Sequence, residues 1–496
     1  MLADVPRSER PTPTGVERPL VPAEFRFGVA TAGFQVEGGF NGPGEPANNW
    51  LAWERAGRVE PSGIAVDFWH RYEELLDRTA RMGCDAFRMS VEWARVEPRP
   101  GDVDEGALDH YARILDACHE RGLQPLVTLL HFVHPVWLGE DFWLSDESPD
   151  RFAAWVELAV ARLASRCRHW VTLNEINVIG LGSYLLGIFP PGRRGAAREM
   201  ARALDHVVAA HVRGYEVIHR IQPDAIVTTN NASMSLYELD RLVVDVLLSR
   251  AAGVERDRVG AWLERRRRDW YGAVGEPGGL ERALRRLSAR VTEGQGDRRR
   301  SLADAVPRAL AAVWDSPHER TLDVVGIDYY DPTVAHHARL PGRRTAGGRS
   351  WVPAADLWDD LVDPGGLATY CRANAAGGLG LWVVENGLCN RVRRGRSWPR
   401  LDGWDRPRYL TANLAALVDV AEAGVAVGAY YHWTLADNYE WGSYEPRFGI
   451  FGVDRERGVR VLDTDAMGAD TAGAYRRVIE GLRQGDRTVL EARPGP

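Results

Sequence analysis

The stretch YARILDACHERGLQPLVTLLH, residues 111–131, reads as an amphipathic helix that closes on Gly122 and is followed by an apolar strand. The same unit recurs on both sides of it. Upstream, FWHRYEELLDRTARMG places Phe68, Tyr72, Leu75, Leu76 and Met82 on one helical face, ends at Gly83, and leads into the strand DAFRMS; FRFGVAT, Phe25 to Thr31, is the first strand. Downstream, RFAAWVELAVARLASRC precedes HWVTLN, and HVVAAHVRGYEVIHR precedes AIVTTNN. LDVVGIDYY, LGLWVVEN and VGAYYHW complete a set of eight strands. Helices between successive strands make the connections parallel, so the expected fold is α/β, a single (β/α)8 TIM barrel.

The interval Met234 to Arg320, between strands five and six, is much longer than one connection needs. It is expected to add helices over the barrel mouth. The domain reading is a flexible tail over residues 1–20, a barrel over 21–485 with this insertion at about 234–320, and a C-terminal tail over 486–496.

A chain of 496 residues, 45% hydrophobic and 26% charged, can bury a core without disulfide or metal staples. Its formal charge of -7 gives no reason to expect a nucleic-acid partner. All its basic residues are arginine, and the run Arg265 to Arg268 reads as a solvated face. Five cysteines, at 84, 118, 167, 371 and 389, contain no CxxC pair and read as buried thiols of a reducing compartment. The N-terminus is polar and proline-rich, with no apolar leader and no later membrane span, so a cytoplasmic location is expected.

In such a barrel the C-terminal strand ends build the active site. The groups found there are Gln35 and Glu37 after strand one, Arg88 on strand two, His131 after strand three, and Asn174-Glu175 after strand four. Tyr329-Tyr330, Glu385-Asn386 and Trp433 end strands six, seven and eight, with Glu440 and Trp441 on the last loop. This mixture suits a sugar, because hydroxyls ask for carboxylate acceptors and amide donors while the C–H face of a pyranose packs on an indole. Two carboxyls on different sides of one mouth suit cleavage of a bond held between them.

These motifs resemble glycoside hydrolase family 1, the β-glucosidase and β-galactosidase family, from Phe25 to about Arg477. FRFGVATAGFQVEGG carries Gln35, FRMSVEWARVEP carries Arg88, TLLHFVHPVWL carries His131, and TLNE carries Asn174 and Glu175. VVGIDYY, VVENG and YHWTLADNYEWGSYEPRFGIFGVD carry Tyr330, Glu385, and the group Trp433, Glu440 and Trp441. The resemblance implies Glu385 as nucleophile, Glu175 as acid/base, and Arg88 and Tyr330 as supports of the nucleophile. It further implies Gln35, His131, Asn174, Trp433, Glu440 and Trp441 as substrate-binding groups. Trp358, in the looser match LWDDLVDPGGL, reads either as an aglycone platform or as a core aromatic.

The implied activity is retaining hydrolysis of a β-linked glucoside, galactoside or related small-molecule glycoside. Its rivals are transglycosylation by the same glutamate pair and non-catalytic sugar binding. No metal or other cofactor is expected; His131 and His134 are spaced H-x-x-H but lack a partner cluster. Five positions depart from the family pattern, among them Val133 and His134 in place of the common Asp-Leu. Ile176 replaces a proline, Phe132 replaces a tryptophan, and Asp328 replaces an asparagine, adding a third carboxyl. Glu440 is kept, and a carboxylate there would repel the 6-phosphate of a phosphorylated sugar.

Overall fold

Short runs with a two-residue apolar period, separated by amphipathic helices, assemble here into one closed parallel sheet. In this computed structural model the described residues are 19–234, 236–274, 301–330, 362–375, 378–393, 396–400, 402–456 and 458–491. The barrel strands are β1 (Arg26–Ala30), β2 (Ala86–Ser90), β3 (Gln124–Thr128), β4 (His169–Val171), β5 (Ile226–Thr228), β6 (Asn230–Ala232), β7 (Val325–Tyr329), β8 (Leu381–Asn386) and β9 (Val427–Trp433). They pair in parallel in the order β5-β4-β3-β2-β1-β9-β8-β7-β6. β5 and β6 are consecutive pieces of one strand, bent at Thr229. β5 pairs with β4 and β6 with β7, so the bent strand joins the two sheet ends and closes the barrel.

Strand parity divides the apolar residues into two layers. Phe27, Val29, Phe87, Met89, Val127, Trp170, Ile327 and Val383 face outward into a large core shared with the helices. Ala30, Ala86, Leu126, Val171, Val384, Ala429, Tyr431 and Trp433 face inward and fill the barrel axis. Trp155, on the helix Ser148–Leu163, shows how the outer layer is fixed. Its ring stacks on Trp93 at 5.5 Å, and its indole N–H donates to the Leu129 carbonyl at 2.7 Å.

Aspartates cap several ring helices: Asp104 accepts from the Ala107 amide, Asp405 from Arg408 and Asp470 from Gly473. The last long helix, Thr471–Gln484, returns to the first strand, where the Tyr475 hydroxyl donates to the Gly28 carbonyl at 3.0 Å. The ring of helices is thereby closed as well.

Two tail boundaries differ from the sequence reading. The Leu20 amide donates to the Leu482 carbonyl at 2.9 Å, which ties residue 20 to the body. Arg487–Leu490 forms a short turn whose Arg487 pairs with Asp419 and Glu422 and whose Val489 lies against Gly481, so the chain stays docked past 485.

The interval 234–320 contains the helices Tyr237–Asp240, Leu242–Leu248, Val259–Val274 and Pro307–Asp315. The arginine run does not form one solvated face. Arg266 and Arg267 turn inward and pair with Asp245 and Glu238, while Arg265 and Arg268 are exposed. Among the described residues no helix is long and apolar enough to cross a membrane.

The barrel axis has no slack at its lower layer. A Cβ at Gly28 would lie 2.7 Å from the Tyr431 ring and 2.8 Å from the Ala86 carbonyl oxygen. Overpacking of this kind costs about 1–3 kcal/mol, so Gly28→Ala is expected to lower the urea midpoint by that equivalent with an unchanged slope. An unchanged midpoint would contradict the packing described for the axis.

Candidate active site

Glu385 points into the barrel only because β8 carries an extra residue. Val383 faces outward and Val384 inward, so strict alternation would turn Glu385 outward. The register steps from Ile327↔Val383 to Asp328↔Glu385 on one side and from Tyr430↔Val383 to His432↔Asn386 on the other. Both steps place one additional residue on β8. This β-bulge re-aims Glu385 to the same side as Asp328, its register partner on β7.

Arg88 receives it. This arginine occupies an inward position of β2 above the small Ala86, is fully buried, and spends its guanidinium on β3, β8 and the segment after β4. Nε donates to Thr128 Oγ1 at 3.0 Å, and Nη1 donates to the Val384 carbonyl at 3.3 Å and to Glu385 Oε1. Nη2 donates to Asn174 Oδ1 at 2.5 Å. The other oxygen of Glu385 accepts from the Tyr330 hydroxyl at 2.6 Å. Burial and the neighbouring Glu385 push the Tyr330 phenol well above its ordinary range, so it remains a donor.

Glu175 enters from the opposite side on a turn. It follows Asn174 beyond the end of β4 and takes a left-handed conformation, φ 40°, from which the helix Ile176–Gly180 starts. Ile176 holds the first helical position, where a proline's fixed φ is also well suited, and it is fully buried. The replacement of proline therefore keeps the turn.

One oxygen each of Glu175, Asp328 and Glu385 lie within 4.8 Å of one another. Their environments differ. Burial raises the Glu175 carboxyl well above its ordinary range, and Glu385 raises it further. Asp328 is raised well above its range by burial, then by Glu385 and Glu175. Burial also raises Glu385, but Arg88 and Tyr330 oppose it, so of the three it is the carboxyl whose ionised form the site supports best. Among the described residues this trio is the only carboxylate, histidine and cysteine cluster spaced for a metal ion. It does not suit one, because the Arg88 guanidinium already occupies the cation's place on Glu385.

Beside the carboxyls lies a pocket wall of paired polar groups and aromatic planes. Glu440 accepts from the Trp433 indole at 3.0 Å and from Gln35 Nε2 at 3.1 Å, and burial pushes its carboxyl up to about 8. His131 lies nearly parallel to both Trp433 and Trp441, with ring centroids 5.7 Å apart in each case. Its Nε2 accepts from Asn174 Nδ2 at 3.2 Å. Burial and Arg88 keep the imidazole neutral, so its proton sits on Nδ1. Nδ1 of His131 and Oε1 of Gln35 are buried polar atoms with no partner among the described residues. Phe132 stands edge-on to Trp441 at 5.0 Å and packs on Phe189, which makes it a support beneath the indole.

Ten of the residues singled out from sequence come together here: Gln35, Arg88, His131, Asn174, Glu175, Tyr330, Glu385, Trp433, Glu440 and Trp441. Trp358 lies outside the described residues. Glu37 does not join them, because its carboxylate is engaged by Arg95 at 2.9 Å and by Tyr111. His134 is likewise turned away, its Nδ1 3.1 Å from the Pro135 carbonyl. Asn230 belongs to the site and escaped the sequence reading. Its Nδ2 donates to Asn174 Oδ1 at 2.8 Å and to Asp328 Oδ2. Its only signal was a polar end, TTNN, on an otherwise apolar strand.

Known proteins share this framework. The profile of Glycosyl hydrolase family 1 matches residues 18–276 and 310–466, breaking only inside the long interval between β6 and β7. A beta-glucosidase of Agrobacterium sp. is 28% identical over 495 residues, covering 95% of this chain and 97% of that protein. The 6-phospho-beta-galactosidase 1 of Streptococcus pneumoniae is 24% identical over 90% of this chain and 97% of its own length. The beta-glucosidase from Thermotoga maritima solved with castanospermine superposes with a TM-score of 0.70 at 22% identity, covering 93% of this chain and 98% of that one; at that identity it speaks for the fold alone. Because the family match runs through all nine strand segments and the polar groups at their ends, the chain belongs to Glycosyl hydrolase family 1.

Proposed function

We propose that the protein is a retaining β-glycosidase that hydrolyses a β-linked glucoside, galactoside or related glycoside, with Glu385 as nucleophile and Glu175 as acid/base. The observation that carries this reading is the spacing of the two carboxyls, whose nearest oxygens lie within 4.8 Å. Retaining enzymes keep their pair about 5–5.5 Å apart, whereas an inverting enzyme leaves about 6.5–9.5 Å for a water.

The division of labour follows from the partners. Glu385 is ionised by Arg88 and Tyr330 and attacks the anomeric carbon, forming a glycosyl ester as the C–O bond to the aglycone breaks. Glu175 gives its proton to the departing oxygen. The ester no longer carries the charge that raised Glu175, so its proton affinity falls and it takes a proton from the water that cleaves the ester. Asn174 ties the two halves together through Arg88 and His131.

The unpartnered Nδ1–H of His131 and Oε1 of Gln35, with the Glu440 carboxyl, are suited to sugar hydroxyls, and Trp433 and Trp441 offer indole faces to the ring. The relatives include enzymes named for phosphorylated and for unphosphorylated sugars. Glu440 favours the unphosphorylated class, because a 6-phosphate beside it would meet a buried carboxyl whose oxygens already accept from Trp433 and Gln35, and no cation among the described residues. The five cysteines are buried and unbonded, which supports a reducing, cytoplasmic setting.

A 2-deoxy-2-fluoro-β-glucosyl fluoride is expected to inactivate the enzyme and leave its sugar on the peptide containing Glu385. Recovery of the label on Glu175 or Asp328 would reassign the nucleophile. Glu175→Gln is expected to lower kcat/KM by about 10²–10⁴-fold on glycosides with poor leaving groups. The loss should be much smaller on a dinitrophenyl glycoside, which needs no proton; equal losses on both would remove Glu175 from the acid role. With Glu385 required ionised and Glu175 required protonated, kcat/KM should rise with pH as Glu385 ionises. It should fall again only above the ordinary carboxylate range, because Glu175 is raised.

A further inference from the structure

Asp328 is a full carboxyl where the resemblance leads one to expect an amide, and the retaining scheme above gives it no task. It is a fully buried side chain on an inward position of β7, in register with Glu385. Its Oδ2 accepts from Asn230, while Oδ1 is buried with no partner among the described residues. One of its oxygens lies within 4.8 Å of oxygens of both Glu175 and Glu385, a separation that one bridging water or substrate hydroxyl spans.

Building on the retaining reading, we propose that Asp328 and Glu175 hold the acid proton jointly, so that Asp328 is a positioning residue for that proton and keeps the site in its acid form to higher pH. The charges around Asp328 leave little alternative. Glu385 faces it from β8, Glu175 from the turn after β4, Tyr330 from the end of its own strand, and Arg88 from β2; Asn230 on β6 is neutral. Arg88 is the cation of the group, and it donates to Glu385 and not to Asp328 or Glu175. Three carboxyls this close to one guanidinium carry a single negative charge at lowest cost, which requires two protons on Glu175 and Asp328. Burial and the Glu385 charge raise both carboxyls, in keeping with that count.

The count is conserved through the reaction. Glycosylation moves one proton to the leaving oxygen and turns Glu385 into a neutral ester, leaving one proton between Glu175 and Asp328. Hydrolysis returns one proton from water to the pair and regenerates the Glu385 carboxylate. Loss of one proton from the resting pair at high pH leaves a second that distributes between the two carboxyls, so a fraction of Glu175 remains an acid. With an amide at position 328 the first loss removes the only acid.

The test is the pH dependence of kcat/KM for wild type and Asp328→Asn on an alkyl or unactivated aryl β-glucoside. Asp328→Asn keeps the acceptor toward Asn230, so the comparison reads the position of the basic limb and not the absolute rate. Its basic limb should move down by about one pH unit or more, the size of a close carboxyl–carboxyl coupling. Asp328→Ser, which removes the carboxyl without its shape, should move the limb the same way. Basic limbs that coincide with wild type in both variants, with or without a lower rate, overturn the shared proton. Glu385→Ala in the same assay separates the two claims. If it keeps the wild-type rate, the retaining scheme with Glu385 as nucleophile falls; if it is inactive while the Asp328 limbs are unmoved, only the shared proton falls.

Discussion

The contact between Arg88 and Glu385 is the constraint around which the upper half of the barrel is arranged. Burying an ion pair is expensive unless every remaining donor and acceptor is satisfied, and here the guanidinium is met by Thr128, the Val384 carbonyl, Glu385 and Asn174. Tyr330 and Asn230 extend the network to β7 and β6. Strands that are far apart in sequence are thus joined by one polar layer in place of an apolar one. The lower layer, with Gly28, Ala86, Leu126, Val171 and Tyr431, is packed by shape alone.

That polar layer sets the protonation of everything near it. One guanidinium stabilises one carboxylate, and the other buried acids, Glu175, Asp328 and Glu440, are pushed toward their neutral forms by burial and by Glu385. A neutral acid beside an ionised one is the arrangement that acid-assisted displacement needs. The same field keeps His131 neutral, which makes it a hydrogen-bond donor to a hydroxyl and not a charge.

Much of this was readable before any coordinate. The eight strands showed in their apolar runs and in the helices that end on Gly83 and Gly122, and all eight are found at the expected places. The groups at the strand ends were named from position and motif. What could not be read depends on register. Period-2 alternation places Glu385 on the wrong face, and only the bulge in β8, visible through its pairing with both neighbours, turns it inward. Asn230 was hidden because a polar residue at a strand end looks the same whether it meets solvent or braces a buried amide such as Asn174. The arginine run misled for a related reason: composition says nothing about Asp245 and Glu238 waiting on neighbouring helices to receive Arg266 and Arg267. Ile176 and Phe132, departures at the level of sequence, turn out to keep the turn and the support of Trp441.

The central claim is that Glu175 and Glu385 stand too close for a water to attack from between them and close enough for one to form a bond to the sugar. The stereochemistry of the first product reports on this directly. Proton NMR of the early hydrolysis of an aryl β-glucoside, recorded before mutarotation, should show β-glucose appearing first and the α-anomer growing only with the slower equilibration. Initial release of α-glucose would contradict the account, because it requires inversion at the anomeric carbon and a carboxyl separation that this barrel does not have.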